Sequence, residues 1–315
     1  MKILFLSRYQ DSLQRGAESF VYELSSRLKE KYKVDIFKGR ESDSLTKILD
    51  GKYDIVVSLN GGLQSLKASV GRIVGRYKLI IVGEAGIGRI AIWNTAVVQP
   101  DVFVAVTDYM AEWVKRWAWN SRVVKINNGV DLNKFTPTGQ KINIGLPRPI
   151  FLSVGALVWY KRHERVIRAV REIRDGSVLI VGKGPEQKKL EQLGKELLGM
   201  RFKIAEFDYE DMPKVYRACD LFSLPSWDRE AFGIVYLEAL ASGLGVVAPD
   251  DSSRREIVGE AGLFTDVENP AAYAQTLEKA LKIDWSGKVK TQAEKFSWEK
   301  ITKNYEKLML DMIKG

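Results

Sequence analysis

The chain has 315 residues, 45% of them hydrophobic and 28% charged, with a formal net charge of +9. This mixture has enough apolar mass for two cores and excludes a disordered chain, a collagen and a disulfide scaffold. The charge is one-sided: residues 1–148 carry 23 Lys/Arg against 14 Asp/Glu and the rest 26 against 26, so an anionic partner is expected on the first half.

In chain order, Lys2–Leu6 reads as a buried strand. Polar Arg8, Gln10 and Asp11 follow it, so this start is expected to be a strand and not a leader segment. Gln14-Arg15-Gly16 is a turn, and Ala17–Glu30 sets Phe20, Val21, Leu24 and Leu28 at helical spacing. Strands are predicted at Val34–Phe37, Asp54–Ser58 (before Asn60-Gly61-Gly62), Leu79–Val82, Val102–Val106 and Val123–Ile126. A glycine-rich loop, Gly83-Glu84-Ala85-Gly86-Ile87-Gly88, follows the fourth, and a helix is predicted near Asp108–Trp117. Thr136-Pro137-Thr138-Gly139 and Leu146-Pro147-Arg148-Pro149 break the pattern as a linker.

The alternation then restarts. Ile150–Val154 and Val178–Val181 read as strands, each followed by a helix, Lys161–Ile173 and Glu186–Leu197. Shorter units run through Leu221–Leu224 and Val246–Ala248, and the tail is helical over Pro270–Leu281 and Trp298–Ile313. Repeated strand-loop-helix units predict an α/β fold of two Rossmann-like domains facing across a cleft, with C-terminal helices. The expected domains are 1–140, which binds acceptor, and 141–283, which binds donor. Helices over 284–315 are expected to pack back toward the first. Ligands in such sheets sit at the carboxyl ends of the strands.

Three strand-end loops carry the candidate chemistry. The segment Pro225-Ser226 through Glu230, Phe232-Gly233-Ile234 and Glu238 to Gly243 passes from a loop into a helix start, whose free N–H groups suit a phosphate. Glu230 and Glu238 can accept hydrogen bonds from separate hydroxyl-bearing parts of one ligand. Read alone, they also fit a solvated helix face. Gly155 to Arg162 opens another helix, where Lys161 or Arg162 can neutralise a diphosphate. Gly182-Lys183-Gly184-Pro185 lacks the third glycine of a dinucleotide fingerprint and also fits a plain strand-to-helix turn.

Taken together, these residues resemble a retaining glycosyltransferase of family 4, the "group 1" family with the GT-B fold. The match lies in Glu230/Glu238, Gly155 with Lys161, Gly182-Lys183-Gly184-Pro185, Pro225-Ser226, Ala239 to Gly243, Asn128-Gly129-Val130-Asp131 and Gly16-Ala17-Glu18. The resemblance implies that Glu230 contacts the transferred sugar, Glu238 the ribose and Lys161 the diphosphate. It implies that Phe232, Gly233 and Ile234 offer backbone amides to the donor. Gly16 then belongs to a loop closing on the donor phosphates, and Gly155, Gly182, Lys183 and Gly184 line the nucleotide. Two departures stand out. Ala156 occupies a position where the family often has arginine, which turns attention to Arg162. The loop after the fourth strand has Glu84 and no histidine, which turns attention to Glu84 and Arg15 for sugar or acceptor contact.

The implied reaction moves a sugar from a nucleotide-diphosphate sugar to an acceptor hydroxyl, with no metal and no cofactor beyond the donor itself. The acceptor expected is a lipid-linked or other anionic glycan. Expected surroundings are the cytoplasm and the anionic inner face of a membrane, with no nucleic-acid partner. The rival reading is a non-catalytic nucleotide-sugar-binding protein.

Three other features have bland readings. His163 is expected at the surface or as a cap, and Cys219 in the core. Met110, Trp113 and Trp117 share a stripe that reads either as a core-facing helix or as an interfacial patch with Lys115, Arg116, Trp119 and Arg122. Arg72, Arg76 and Lys78 would join that patch.

Overall fold

The computed structural model describes residues 1–8, 10, 16–59 and 61–314. It divides into two compact units. The first comprises Met1–Gly129, Arg229–Gly233 and Trp298–Gly315, and the second Val130–Asp228 and Ile234–Ser297. The chain thus leaves the first unit at Gly129, ahead of the proline-rich breakers.

The first unit is built on a parallel sheet. Its strands are β1 (Lys2–Ser7), β2 (Lys33–Lys38), β3 (Ile55–Ser58), β4 (Lys78–Val82), β5 (Val102–Ala105) and β6 (Arg122–Lys125), in the order β2-β1-β3-β4-β5-β6. The helices are α1 (Gly16–Leu28), α2 (Leu45–Asp50), α3 (Leu63–Gly75), α4 (Arg89–Ile92) and α5 (Asp108–Lys115). Central strands are covered on both faces, so they read as unbroken apolar runs: Ile3 to Leu6, Ile55 to Val57 and Leu79 to Val82 are all buried. The edge strands β2 and β6 instead carry exposed lysine and arginine, which discourage further pairing.

The second unit contains β7 (Ile150–Val154), β8 (Ser177–Val181), β9 (Phe202–Ala205), β10 (Leu221–Ser223), β11 (Gly245–Pro249) and β12 (Gly262–Thr265). Their order is β12-β11-β10-β7-β8-β9, again all parallel. Counted from β7, this is the doubly wound order in which the chain reverses direction between β7 and β10. Sheets of this order carry their ligands at such a reversal, beyond the carboxyl ends of the strands. Its helices are α6 (Glu164–Arg171), α7 (Gln187–Leu198), α8 (Met212–Ala218), α9 (Ile234–Ala241), α10 (Ser252–Val258), α11 (Pro270–Leu281) and α12 (Ser286–Lys295). The final helix, α13 (Trp298–Lys314), belongs to the first unit.

Within that unit, α13 packs on α1. Phe20 lies 5.9 Å from Trp298 and 5.6 Å from Tyr305, ring centre to ring centre. Tyr32 donates a hydrogen bond to Glu306 at 2.7 Å. A Cβ on Gly129 would fall 2.6 Å from the Trp298 ring, so the indole uses the space that this glycine leaves.

α5 settles the aromatic stripe. Thr107 caps it by accepting from the Met110 N–H, and this register turns Met110, Ala111 and Val114 into the core. Trp113 and Trp117 are half-buried, and Arg72 is paired with Asp101. Of that stripe Met110 faces the core, while the tryptophans are only partly covered and Trp119 is exposed.

Trp298→Ala should destabilise the protein by about 3–5 kcal/mol, because it empties a buried site between α1 and the Gly129 turn. Urea unfolding followed by near-ultraviolet circular dichroism checks this, and an unchanged midpoint would contradict the packing.

Candidate functional site

In the second unit, the loops after β7 and β8 continue the pairing of their strands. Gly155 N–H donates to Val181 O at 3.0 Å, Leu157 N–H to Lys183 O at 2.9 Å and Glu186 N–H to Leu157 O at 2.9 Å. The backbones approach so closely that side chains do not fit. A Cβ on Gly182 would lie 2.0 Å from Gly155 O, and one on Gly184 2.5 Å from Leu157 O. Two glycines in this turn are therefore a packing requirement.

The same approach seats Lys161 beside Gly155. A Cβ on Gly155 would be 3.7 Å from the lysine Cδ and Cε. Lys161 ends a single 3-10 turn, Trp159–Lys161, and Arg162 then takes a left-handed conformation with φ 57°. The Arg162 guanidinium reaches Glu268 at 3.4 Å, a carboxylate that Arg165 also holds. Lys183 is exposed, with Nζ 3.7 Å from Glu206.

His163 corrects the surface expectation. It is buried, with Nδ1 2.9 Å from the Ser153 hydroxyl, and it occupies the N-cap position of α6 without capping through its side chain. Cys219 is buried as expected, and burial pushes its thiol up to about 12.

The loop after β10 is held by a residue that sequence reasoning did not single out. Arg254 is fully buried on α10. It donates to Ser226 Oγ at 2.8 Å and to Trp227 O at 2.7 Å, and it lies 3.2 Å from Asp251. Trp227 N–H in turn donates to Tyr160 O at 3.0 Å, and the Trp227 ring meets Trp159 at 5.0 Å and Tyr160 at 5.8 Å. The β7 and β10 loops are thereby tied together at the reversal point of the sheet.

Beyond that loop, Gly233 has φ 87° and Ile234 begins α9. α9 is apolar on all sides except for Glu238, which is buried. Tyr216 donates to Glu238 Oε2 at 2.8 Å and fixes the carboxylate. Burial and the Glu238 charge push the Tyr216 phenol up, so it stays a donor. In the sequence Glu238 is singled out as one of a pair with Glu230, and its burial rules out the solvated helix face that the pair alone would also fit. Tyr216, on another helix, gave no signal in the sequence.

In the first unit, the 83–88 loop meets the segment that carries Glu230. Gly86, at φ 76°, is where a Cβ would come within 2.4 Å of Arg229 O and 3.2 Å of Ala231 N. Glu230 is half-buried with its Oε2 shielded, and Phe232 is buried. Gly16 opens α1 and is exposed, while Arg15 lies outside the described residues. Glu84 turns its carboxylate onto Asn128, whose Nδ2 donates to Oε2 at 3.2 Å. Glu84 Oε1 and Asn128 Oδ1 are both shielded from solvent. Burial, with a smaller contribution from Glu18, pushes Glu84 up to about 7 against the opposing Asn128 bond. Protonation gives this pair a donor where the ionised form has two acceptors. Among the described residues, no group of three or more His, Cys, Asp or Glu gathers as a metal site.

Folded Glu84 binds its proton more tightly than the unfolded chain does. Its contribution to stability is therefore lost as pH rises from about 4.5 towards about 7. Glu84→Gln supplies the amide donor permanently. It should raise the unfolding midpoint at pH 8, and its advantage over wild type should shrink towards pH 5. A pH-independent difference in thermal melts would contradict the buried-acid reading.

Comparison with known proteins fits these loops. The family described as "Glycosyl transferases group 1" matches residues 136–297. The phosphatidyl-myo-inositol mannosyltransferase of Mycolicibacterium smegmatis is 29% identical over 213 residues, which cover 63% of this chain and 54% of that protein. A Campylobacter jejuni relative, N-acetylgalactosamine-N,N'-diacetylbacillosaminyl-diphospho-undecaprenol 4-alpha-N-acetylgalactosaminyltransferase, is 33% identical over 195 residues, covering 58% of this chain and 52% of its own. The chain thus spans about half the length of the curated relatives it matches. Anabaena Alr3699/HepE, solved in complex with UDP and glucose, superimposes with a TM-score of 0.81 at 18% identity, over 99% of this chain and 100% of that one. The lipopolysaccharide outer core galactosyltransferase WaaB superimposes at 0.74 with 16% identity, over 99% and 100%. Two parallel six-stranded sheets and these neighbours make the fold GT-B. With its family pattern covering the second unit's strand-end loops, the chain belongs to the group 1 glycosyl transferases.

Proposed function

We propose that the protein is a retaining glycosyltransferase that moves a sugar from a nucleotide-diphosphate sugar to an acceptor hydroxyl. The observation that carries this reading is the second unit's strand-end loop pair. It seats Lys161 over Gly155 through glycines that admit no side chain. In this reading the ribose hydroxyls donate to Glu238, held in place by Tyr216, and the diphosphate meets Lys161 and the amides at Gly233 and Ile234. The base lies along Gly182, Lys183 and Gly184, and Glu230 takes the transferred sugar. Gly16 and Arg15 belong to the loop on the donor phosphates and acceptor, and Glu84 supports that side through Asn128. Arg162, engaged with Glu268, is a weaker source of the second cation than Lys161 is of the first.

The chemistry follows from where charge develops. As the C1–O bond breaks, negative charge grows on the leaving diphosphate and the sugar becomes oxocarbenium-like. Fixed cations and helix-start amides aimed at that charge lower the barrier, and no metal is required for this. The acceptor oxygen attacks C1 from the face the diphosphate leaves, and the departing phosphate oxygen takes the acceptor proton. Such a route retains configuration without a histidine base.

A lipid-linked or anionic glycan is the acceptor this reading favours. The Mycolicibacterium relative is named for phosphatidyl-myo-inositol and the Campylobacter one for a diphospho-undecaprenol-linked sugar. The excess positive charge of residues 1–148 agrees with such an acceptor and with work at the cytoplasmic surface of an anionic membrane. No helix among the described residues is long and apolar enough to cross a membrane.

Thermal shift with UDP-, GDP- and ADP-sugars should show stabilisation by one nucleotide series. With that donor, Lys161→Ala should lower turnover by roughly 10²–10³. Full activity in the variant would remove the diphosphate assignment. Donor binding with neither transfer nor slow donor hydrolysis would favour the non-catalytic binding protein.

A further inference from the structure

The third helix of the first unit is inside out. Its core-facing positions are Gln64, Ser65, Ala68 and Gly71, all buried and all polar or small. Of its five large apolar residues, Leu66 is half-buried and the other four face solvent: Leu63, Val70, Ile73 and Val74 are 70, 52, 77 and 75% exposed. They recur at helical spacing and form one stripe. An ordinary surface helix has the opposite polarity.

The neighbouring segment repeats the inversion. From α4 through the π-helical turn Trp93–Val97, Asn94 and Thr95 are buried while Ile90 and Val97 are exposed. The two segments adjoin. Trp93 Nε1 donates to Gly62 O at 3.3 Å, Ser69 Oγ to Val98 O at 2.6 Å, and a Cβ on Gly61 would lie 2.5 Å from the Ile90 side chain. The exposed apolar residues of both therefore belong to one face.

The charge around this face has one sign. Residues 61–100 hold five Lys/Arg and a single acid, Glu84, whose carboxylate is engaged by Asn128. Lys67 lies within the α3 stripe, Arg76 ends the helix and Arg89 opens α4, all exposed. Among the flanking carboxylates, Asp54 accepts from the Lys2 N–H, and Asp43 and Asp101 are paired with Arg8 and Arg72; Asp50 lies on α2. An apolar face whose own helices carry basic residues and no acid is complementary to an anionic bilayer surface, where apolar side chains enter the acyl boundary and cations meet headgroup phosphates. A protein partner selected by charge would need a strongly acidic rim around an apolar centre, which is a narrower demand.

We infer that the outward face of α3, with Ile90 and Val97, is the surface by which this protein sits on an anionic lipid bilayer. The inference rests on the membrane-surface reading given above and adds the residues that make the contact.

Co-sedimentation with sucrose-loaded vesicles tests it, using phosphatidylcholine alone and phosphatidylcholine mixed with phosphatidylglycerol. Wild type should pellet with the anionic vesicles and remain in solution with the neutral ones. Ile73→Ser/Val74→Ser should weaken the anionic partition roughly ten-fold. Lys67→Glu/Arg89→Glu should abolish its dependence on phosphatidylglycerol. Both variants should melt like wild type, because the substituted side chains contribute no core contacts. If wild type binds anionic vesicles and both variants bind equally well, the face is wrong while the membrane reading survives. If wild type binds neither vesicle, both fall. If sedimentation velocity shows a wild-type dimer that Ile73→Ser/Val74→Ser dissolves, a second copy covers the face and the lipid assignment is overturned. None of these outcomes bears on the donor site.

Discussion

The close backbone approach of Gly155–Leu157 to Gly182–Gly184 is the constraint on which the rest of the second unit's site depends. Parallel strands normally part where their loops begin. Here the pairing persists for three more hydrogen bonds, because nothing larger than hydrogen stands at residues 182 and 184. Persistence fixes the path of the β7 loop. It sets the lysine stem against Gly155, and the chain then turns sharply at Arg162 into α6. A cation positioned by backbone contacts in this way needs little reorganisation when charge develops beside it, and this is what the proposed diphosphate role of Lys161 asks of it.

Buried polar groups do the same work for the β10 loop. Arg254 is too costly to bury without partners, and its bonds to Ser226 and Trp227 hold that loop in a single conformation. Tyr216 plays the corresponding part for Glu238, and Asn128 for Glu84. In each case a buried carboxylate or a loop is oriented by a neighbour distant in sequence. The first unit adds an unusual feature: polar residues turned inward on α3 and apolar ones outward. This is unfavourable in water and becomes sensible once another surface covers the face.

Much of this was legible in the sequence because strand and helix periods are local. Every strand with a continuous apolar run was found, including β1, β7 and β8. The glycine pair at 182 and 184 and Glu238 stand out in the sequence, but read alone they also fit a plain turn and a solvated helix face; the family resemblance is what points to a donor role. Short, half-exposed strands such as β9 and β12 lack a run long enough to register. α3 escaped because its polarity is inverted, so a search for a core-facing stripe finds the wrong side. His163 was misplaced for a related reason: a histidine after two cations looks solvated, and only the fold brings Ser153 beneath it. Arg254, Tyr216 and Asn128 act through tertiary contacts that no spacing rule encodes. The aromatic stripe of α5 was open until Thr107 fixed its register.

The central claim is that the glycine-to-backbone contact builds the nucleotide site. Calorimetric titration of Gly182→Ala against wild type, with UDP, GDP and ADP as ligands and far-ultraviolet circular dichroism as the folding control, tests it most directly. The account predicts that wild type binds one of these nucleotides. In the variant, a Cβ forced against Gly155 O displaces the Lys161 loop, and that binding is lost while the spectrum is unchanged. Equal affinity in the two folded proteins would contradict it.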